Sequence, residues 1–264
     1  MDNKAIFITG GGSGIGRATA QLFARNGWFV GLADINQAGM ADTAALLPRG
    51  QSSIHVMDVT DREQWRQALD AFAGFTGGRL DVLFNNAGIA RGGQFIDTDP
   101  KDSDLVIEIN LKGVINGAHM ALPLLRATPG SCLLNTCSAA GIYGGPGLSI
   151  YAASKFGVRG FSEALDIEWR PLGIKVRTLM PSFIDTPLLD VVTAGSNGTA
   201  RDSVVSAGLE FTPVEDVAQA AWNAVHGERL HSIVGKTARS MAFAARWMPG
   251  VLRRKLGERL EAKR

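Results

Sequence analysis

The sequence predicts a doubly wound α/β fold, one parallel sheet with helices on both faces. Two observations carry that prediction. Short β-branched and aromatic runs alternate with longer stretches whose apolar residues recur at about 3.6-residue spacing. The short runs are continuously apolar, as strands covered on both faces must be. Strand and helix in regular turn imply right-handed βαβ units. With 45% apolar and 20% charged residues among 264, the chain can build a large core.

The elements follow in order. Ala5-Ile6-Phe7-Ile8 is the first predicted strand, and a helix is expected from Ile15 to Asn26. Trp28-Phe29-Val30 and Ile54-His55-Val56 are the second and third strands. A helix from Asp61 to Phe72 leads to the fourth, Val82-Leu83-Phe84. Thr98-Asp99-Pro100 opens the next helix with a capping residue and Pro at its first position. Cys132-Leu133-Leu134 is the fifth strand, followed by a helix from Tyr151 to Arg170 and a sixth strand over Ile174 to Met180. Thr212-Pro213-Val214-Glu215 fits a capping box, with Thr212 as the cap. Ser232-Ile233-Val234 closes the sheet.

No linker or low-complexity tract divides the chain, so residues 1–240 read as one catalytic and dinucleotide-binding domain. Residues 187–210, with Gly195-Ser196-Asn197-Gly198, read as a mobile substrate lid. Residues 241–264 read as a basic amphipathic helical tail. There Met248, Leu252, Leu256 and Leu260 recur every four residues among basic side chains. Such a tail suits an anionic membrane, the substrate mouth or a neighbouring subunit.

Charge excludes one class of partner. Twenty-seven basic against 25 acidic residues give a net +2, which is no case for nucleic acid. The balance is uneven: from Lys236 onward nine Lys or Arg face two acids, while residues 1–235 hold 18 basic and 23 acidic. Two cysteines, Cys132 and Cys137, read as one strand's opposite faces and cannot bridge each other, a reducing-compartment pattern. Met1-Asp2-Asn3-Lys4 leads straight into a strand with no apolar leader, so a cytoplasmic protein is expected. The longest charge-free stretch, Ala127 to Ser154, is broken by Pro, Gly and Asn and does not read as a membrane span. The four histidines are scattered, and no metal site is expected.

The first strand runs into Thr9-Gly10-Gly11-Gly12-Ser13-Gly14-Ile15-Gly16. A pyrophosphate must approach backbone N–H groups at a helix N-terminus, where side chains would block it. Gly10, Ser13, Gly14, Ile15 and Gly16 are therefore candidate cofactor contacts, and the sheet reads as Rossmann-type. Asp34 ends the second strand, 18 residues after Gly16. A carboxylate there accepts both adenosine ribose hydroxyls and repels a 2′-phosphate. Ile35 follows it rather than Arg, which favours NAD over NADP, although Arg17 lies near the same pocket. The fourth strand runs into Asn85-Asn86-Ala87-Gly88, small and amide residues suited to packing beside a cofactor.

Tyr151 and Lys155 are four apart on a predicted helix and share a face. A phenol titrates near pH ~10, and a neighbouring ammonium favours its ionised form. Ser138 lies just past the fifth strand, at the sheet edge where open α/β sheets bind ligands. No nucleophile elbow exists, which disfavours a hydrolase.

These motifs, in this order, resemble the short-chain dehydrogenase/reductase family over residues 4–235. The resemblance implies that Tyr151 exchanges a proton with the substrate oxygen. Lys155 would hold the nicotinamide ribose and depress the Tyr151 pKa, and Ser138 would hydrogen-bond the substrate. Asn110 would position a water in the proton relay. Asp58 and Val59 would contact adenine, with Asn86, Ala87 and Gly88 as the turn beside it. In Pro181-Ser182-Phe183-Ile184-Asp185-Thr186 the family has glycine after the proline, so Ser182 departs from it. Pro181, Ile184 and Thr186 still fit the nicotinamide side. The resemblance also implies a homotetramer or homodimer built partly on the Tyr151–Arg170 helix.

The loops after strands four to six supply substrate candidates: Ala140, Tyr143, Phe183 and Leu188, with Ser138 at the reacting oxygen. Most are apolar, so a lipophilic secondary alcohol or ketone, steroid-like or long and apolar, is expected. The rival reading is a non-catalytic dinucleotide sensor or scaffold on the same fold. An epimerase would need a larger C-terminal sugar-nucleotide region.

Overall fold

The structure is a computed structural model that describes residues 4–195 and 198–261. The elements are β1 (Ala5–Thr9), α1 (Gly14–Arg25), β2 (Phe29–Asp34), α2 (Gln37–Ala45), β3 (Ser52–Val56), α3 (Arg62–Thr76) and β4 (Val82–Asn85). Then come α4 (Pro100–Ile107), α5 (Gly113–Ala127), β5 (Cys132–Thr136), α6 (Ser149–Trp169) and β6 (Lys175–Pro181). The chain continues through α7 (Ala200–Ser206), α8 (Val214–His226), β7 (His231–Val234), α9 (Lys236–Trp247) and α10 (Pro249–Glu261).

The seven strands form one sheet in the order β3-β2-β1-β4-β5-β6-β7, and every pairing is parallel. The order reverses between β1 and β4. Diverging loops leave a crevice there, at the carboxyl ends of the strands. One face packs Ile6, Ile8, Val30, Leu32 and Phe84 against α1 and α8 through Ala20, Phe23, Val217 and Ala221. The other packs Phe7, Leu83, Leu133 and Val176 against α3, α5 and α6 through Trp65, Phe72, Ala121 and Leu165. The inner strands thus alternate their side chains between two buried faces, the physical reason they read as unbroken apolar runs, whereas edge strand β3 leaves Ile54 and Val56 exposed.

Helix starts follow local chemistry in the first half. Asp61 accepts from the amides of Glu63 and Gln64 and caps α3. Asp99 caps α4 by accepting from Lys101, with Pro100 at the first position. The expected Thr212 box fails. Pro213 occupies the cap of α8 and makes no side-chain bond, while the Thr212 hydroxyl pairs with Ser182 at 3.1 Å. A tertiary partner outcompetes the local one.

The tail also departs from expectation. It is two helices, not one, and the first begins at Lys236. Met248 (φ −140°, ψ 48°) breaks the helical path, and Pro249 restarts it. Leu252 and Leu256 are half-buried, the Leu260 side chain lies outside the described residues, and so do Ala262–Arg264. The region read as a lid holds a short 3-10 turn, Pro187–Asp190, and α7. Ser196 and Asn197 of its expected tip, and Met1–Asn3 at the start, lie outside the described residues. Cys137 sits one residue past β5, and both cysteines are buried and unbridged.

Candidate active site

The glycine-rich turn between β1 and α1 is shaped for close approach. Gly10 (φ 68°) and Gly14 (φ 48°) take left-handed angles that other residues avoid. A Cβ on Gly16 would lie 2.1 Å from the Gly10 carbonyl oxygen, so only glycine lets α1 dock on the turn. Ser13 caps α1 without a side-chain hydrogen bond, and the first turn holds no acidic residue. The amides of that turn therefore remain for an outside anion. Ile15 turns inward and packs on the core, so its backbone is what faces the turn.

Asp34 stands across the turn at the end of β2. Its Oδ2 accepts from the Gly12 amide at 3.0 Å, and its Oδ1 from the Asn36 amide. It does not cap α2; Asn36 does, accepting from Gly39. Arg17 is occupied by the fold. It donates to the Gly12 and Gly39 carbonyl oxygens and to the Thr43 hydroxyl. Asp58 accepts from the Thr60 amide and hydroxyl, and the Val59 carbonyl accepts from Trp65 and Asn116. Both lie beyond the end of β3.

Asn86 is a stitch. Its side-chain amide donates to the Thr9 carbonyl, and its carbonyl accepts from Thr136, tying the ends of β1, β4 and β5 together. The Ala87 amide donates to the Thr9 hydroxyl. A Cβ on Gly88 would sit 3.1 Å from Asn110 Oδ1 and 3.7 Å from Lys155 Nζ, so glycine here keeps the path to the lysine open.

Asn110 lies in a π-helical turn, Glu108–Lys112, between α4 and α5. Single wide turns of this kind are frequent at functional sites. The residue is fully buried. Its Oδ1 accepts from the Ile89 amide and its Nδ2 donates to the Ile89 carbonyl, which fixes the loop after β4.

Ser138 caps a 3-10 turn, Ala139–Gly141, accepting from the Ala140 amide at 3.1 Å. Tyr151 enters from the first turn of α6, because that helix begins at Ser149. Lys155, 4% exposed, lies one turn on. Its Nζ donates to the Thr136 carbonyl at 3.1 Å and sits 5.6 Å from the centre of the Tyr151 ring. The structure thus brings Ser138, Tyr151 and Lys155 together at the sheet edge.

Electrostatics depart from expectation. Burial pushes the Tyr151 phenol up to about 12, the hydrogen bond shared with Ser138 pulling it back and Cys137 adding to the rise. Burial also pushes the Lys155 ammonium down to about 8, against a smaller opposing effect of Cys137. The depressed phenol implied by an adjacent lysine is not what the chain alone provides. Burial dominates because it removes the ionised phenolate from water.

Across the crevice, Pro181 ends β6 and Ile184 is buried in the core cluster beside α8. Thr186 lies over the glycine-rich turn: a Cβ on Gly14 would meet its Cγ2 at 3.0 Å. Ser182 needs no glycine-like angle, since among the described residues only glycines have positive φ. Gly235 (φ 93°) takes that role opposite it; a Cβ there would collide with the hydroxyls of both Ser182 and Thr212. Ala140 is buried, and Tyr143, Phe183 and Leu188 are half-buried.

Two features escaped the sequence. Arg201 on α7 pairs with Asp185 and with Asp190 and donates to the Thr186 carbonyl, tying α7 to the loop after β6. A cavity of about 290 Å³ opens beside the first turn of α6, lined by Arg91, Asp102, Ser149, Ile150 and Thr193 among others. Neither has a local signature; each depends on loops from distant parts of the chain.

The turn, the carboxylate and the buried lysine beside a tyrosine define a dinucleotide-binding protein equipped to move a proton. The chain belongs to the short-chain dehydrogenase/reductase family, whose pattern, described as short chain dehydrogenase, matches residues 4–197. It is an NAD(P)-dependent oxidoreductase of alcohols or ketones. A 3-oxoacyl-[acyl-carrier-protein] reductase of Thermotoga maritima is 37% identical over 222 residues, 83% of this chain and 89% of that protein. A cyclopentanol dehydrogenase of Comamonas sp. is 32% identical over 248 residues, 90% and 98%. A short chain dehydrogenase/reductase from Burkholderia phymatum, solved in complex with NAD, superposes with a TM-score of 0.83 at 26% identity, over 96% of this chain and 95% of that one.

Proposed function

We propose that the chain interconverts a lipophilic secondary alcohol and its ketone with NAD, using Tyr151 as the proton-exchanging group. The observation that carries this reading is the buried Lys155 ammonium held one helical turn from Tyr151, 5.6 Å from the centre of its ring. Nicotinamide, when bound, accepts or supplies the hydride. The chain's own residues do the rest. The Ser138 hydroxyl orients the substrate oxygen, and Tyr151 gives a proton to it in reduction or takes one in oxidation. Lys155, held by the Thr136 carbonyl, keeps a charge near neutral pH beside the phenol. Asn110 holds the loop beside them. With the phenol high, reduction has its acid ready at neutral pH, and oxidation should quicken as pH rises.

The Gly10–Gly16 turn fits a pyrophosphate, and Asp58, Val59, Ala87 and Gly88 would flank the adenosine. NAD is preferred over NADP because Asp34 faces the turn while Arg17 is consumed by backbone carbonyls. Pro181, Ile184 and Thr186 would border the nicotinamide. Ala140, Tyr143, Phe183 and Leu188 make the near end of the substrate site apolar. The Arg91–Asp102 pair, 3.2 Å apart, favours a polar group at the far end. A homodimer or homotetramer is supported by the exposed face of α6, where Phe156 and Ile167 point outward. The two buried, unbridged cysteines support a reducing compartment such as the cytoplasm. No helix among the described residues is long and apolar enough to cross a membrane.

The test is turnover of a panel of hydrophobic alcohols and of sugars, with NAD and NADP, followed by nicotinamide absorbance. Tyr151→Phe should lower turnover on the order of a hundredfold to ten-thousandfold while NAD binding, read by fluorescence, persists. A wild-type chain that binds NAD but turns over no alcohol or ketone is a sensor instead. A preference for sugars overturns the lipophilic substrate.

A further inference from the structure

We infer that the outward face of α9 seats the protein on an anionic phospholipid surface. The face differs from the Leu stripe expected for this tail. Leu252 and Leu256 are half-buried, and α10 packs against α9. What remains outside is a row stepping by three or four residues along α9: Lys236, Arg239, Phe243, Arg246 and Trp247. Residues with this spacing share one side of a helix. All five are exposed, Phe243 by 61% and Trp247 by 66%. Opposite them, Ala238 is buried and Met241, Ala242 and Ala245 are half-buried toward the protein.

Charge identifies the occupant. α9 contains no acidic residue, and α10 adds Arg253, Arg254 and Lys255, all exposed. The rest of the chain is acidic in balance, so the basic face is local and does not follow from general composition. The Arg246 guanidinium lies 5.3 Å from the centre of the Trp247 ring. An exposed indole flanked by arginines suits the headgroup layer, where the ring takes the apolar boundary and the guanidinium reaches phosphate. Anionic headgroups attract each basic side chain near their surface. α9 also packs on β7 and on the turn that follows Ser138, so the lipid would lie close to the loop that carries that serine.

The experiment is flotation of the full chain with vesicles of phosphatidylcholine, with and without phosphatidylserine, at low and high salt. The full chain should float only with phosphatidylserine and be released by salt. Arg239→Gln with Arg246→Gln, and separately Phe243→Ser with Trp247→Ser, should each lower the bound fraction by at least about tenfold. Unchanged thermal unfolding and unchanged turnover of a soluble alcohol show that each variant is folded, and flotation itself needs no turnover. Three results overturn the inference: no flotation, equal flotation with phosphatidylcholine alone, or binding unchanged in both variants. A drop in native size for the aromatic variant, without vesicle binding by the parent, assigns the face to a second copy of the chain and also overturns it.

Discussion

The turn between β1 and α1 and the loop after β6 both border the crevice, yet they are built on different principles. The first is made by its own residues. Gly10 and Gly14 supply backbone angles, Gly16 supplies clearance, and Asp34 arrives from the neighbouring strand in register. The second is made by distant partners. Ser182 is held by Thr212, Ile184 by a bridge to the same residue, and Asp185 by Arg201. Local chemistry is readable along a chain; a site assembled from three loops is not.

The comparison breaks most sharply at Gly16. With no room for a Cβ beside the Gly10 carbonyl, Gly16→Val should displace α1 from the turn. NAD binding should be lost, and stability should fall by about 1–3 kcal/mol. Calorimetric titration with NAD and thermal unfolding check it. Near-native NAD affinity would mean that the turn is not made by local clearance.

Lys155 tests the buried site. Its pKa is lower in the folded chain, about 8, than the ordinary 10.5. Below pH 8 both states hold the proton, and the fold carries the full desolvation cost. Between about 8 and 10.5 the unfolded chain binds more protons than the folded one, so this group makes stability rise with pH. Lys155→Met should remove that alkaline rise and stabilise the chain at neutral pH while abolishing turnover. Unfolding followed across this window reads the slope. A slope that survives the substitution assigns it to another group.

The pattern of legibility has a physical cause. The inner strands were readable because each is buried on both faces, the edge strand β3 because β-branched Ile54 and Val56 mark it although both are exposed, and the order of the motifs along the chain put Ser138, Tyr151 and Lys155 at one edge. Asp99-Pro100 was readable because a cap is a bond between near neighbours. Thr212 carried the same local pattern and was misread, since its hydroxyl has a better-placed partner 30 residues away. The Tyr151 pKa was misread because a charge neighbour is visible in sequence, whereas the burial that opposes it is not. Asn86 looked like a turn residue and proved to join three strands.

Asp34 sharpens the cofactor half of the comparison. Asp34→Ala removes the acceptor facing the turn and the charge that would repel a 2′-phosphate. The preference for NAD over NADP should fall roughly tenfold, which corresponds to about 1.4 kcal/mol. Kinetics with both cofactors measure the ratio. An unchanged ratio would mean that Arg17 or another cation sets the selection.

The smallest effect expected is at the pair that replaced the expected cap. If Thr212 served α8 as a cap, Thr212→Val would fray that helix, and Ser182→Ala would add its own effect independently. If the hydroxyls bind each other, either substitution should cost about 1 kcal/mol, and the second should cost little once the first is made. A double-mutant cycle on thermal stability separates the two, because only directly interacting groups give a coupling energy. The geometry favours coupling: the oxygens are 3.1 Å apart, and Gly235 leaves the space they share. Serine after Pro181 is then no defect in the loop, because its hydroxyl fastens β6 to the start of α8.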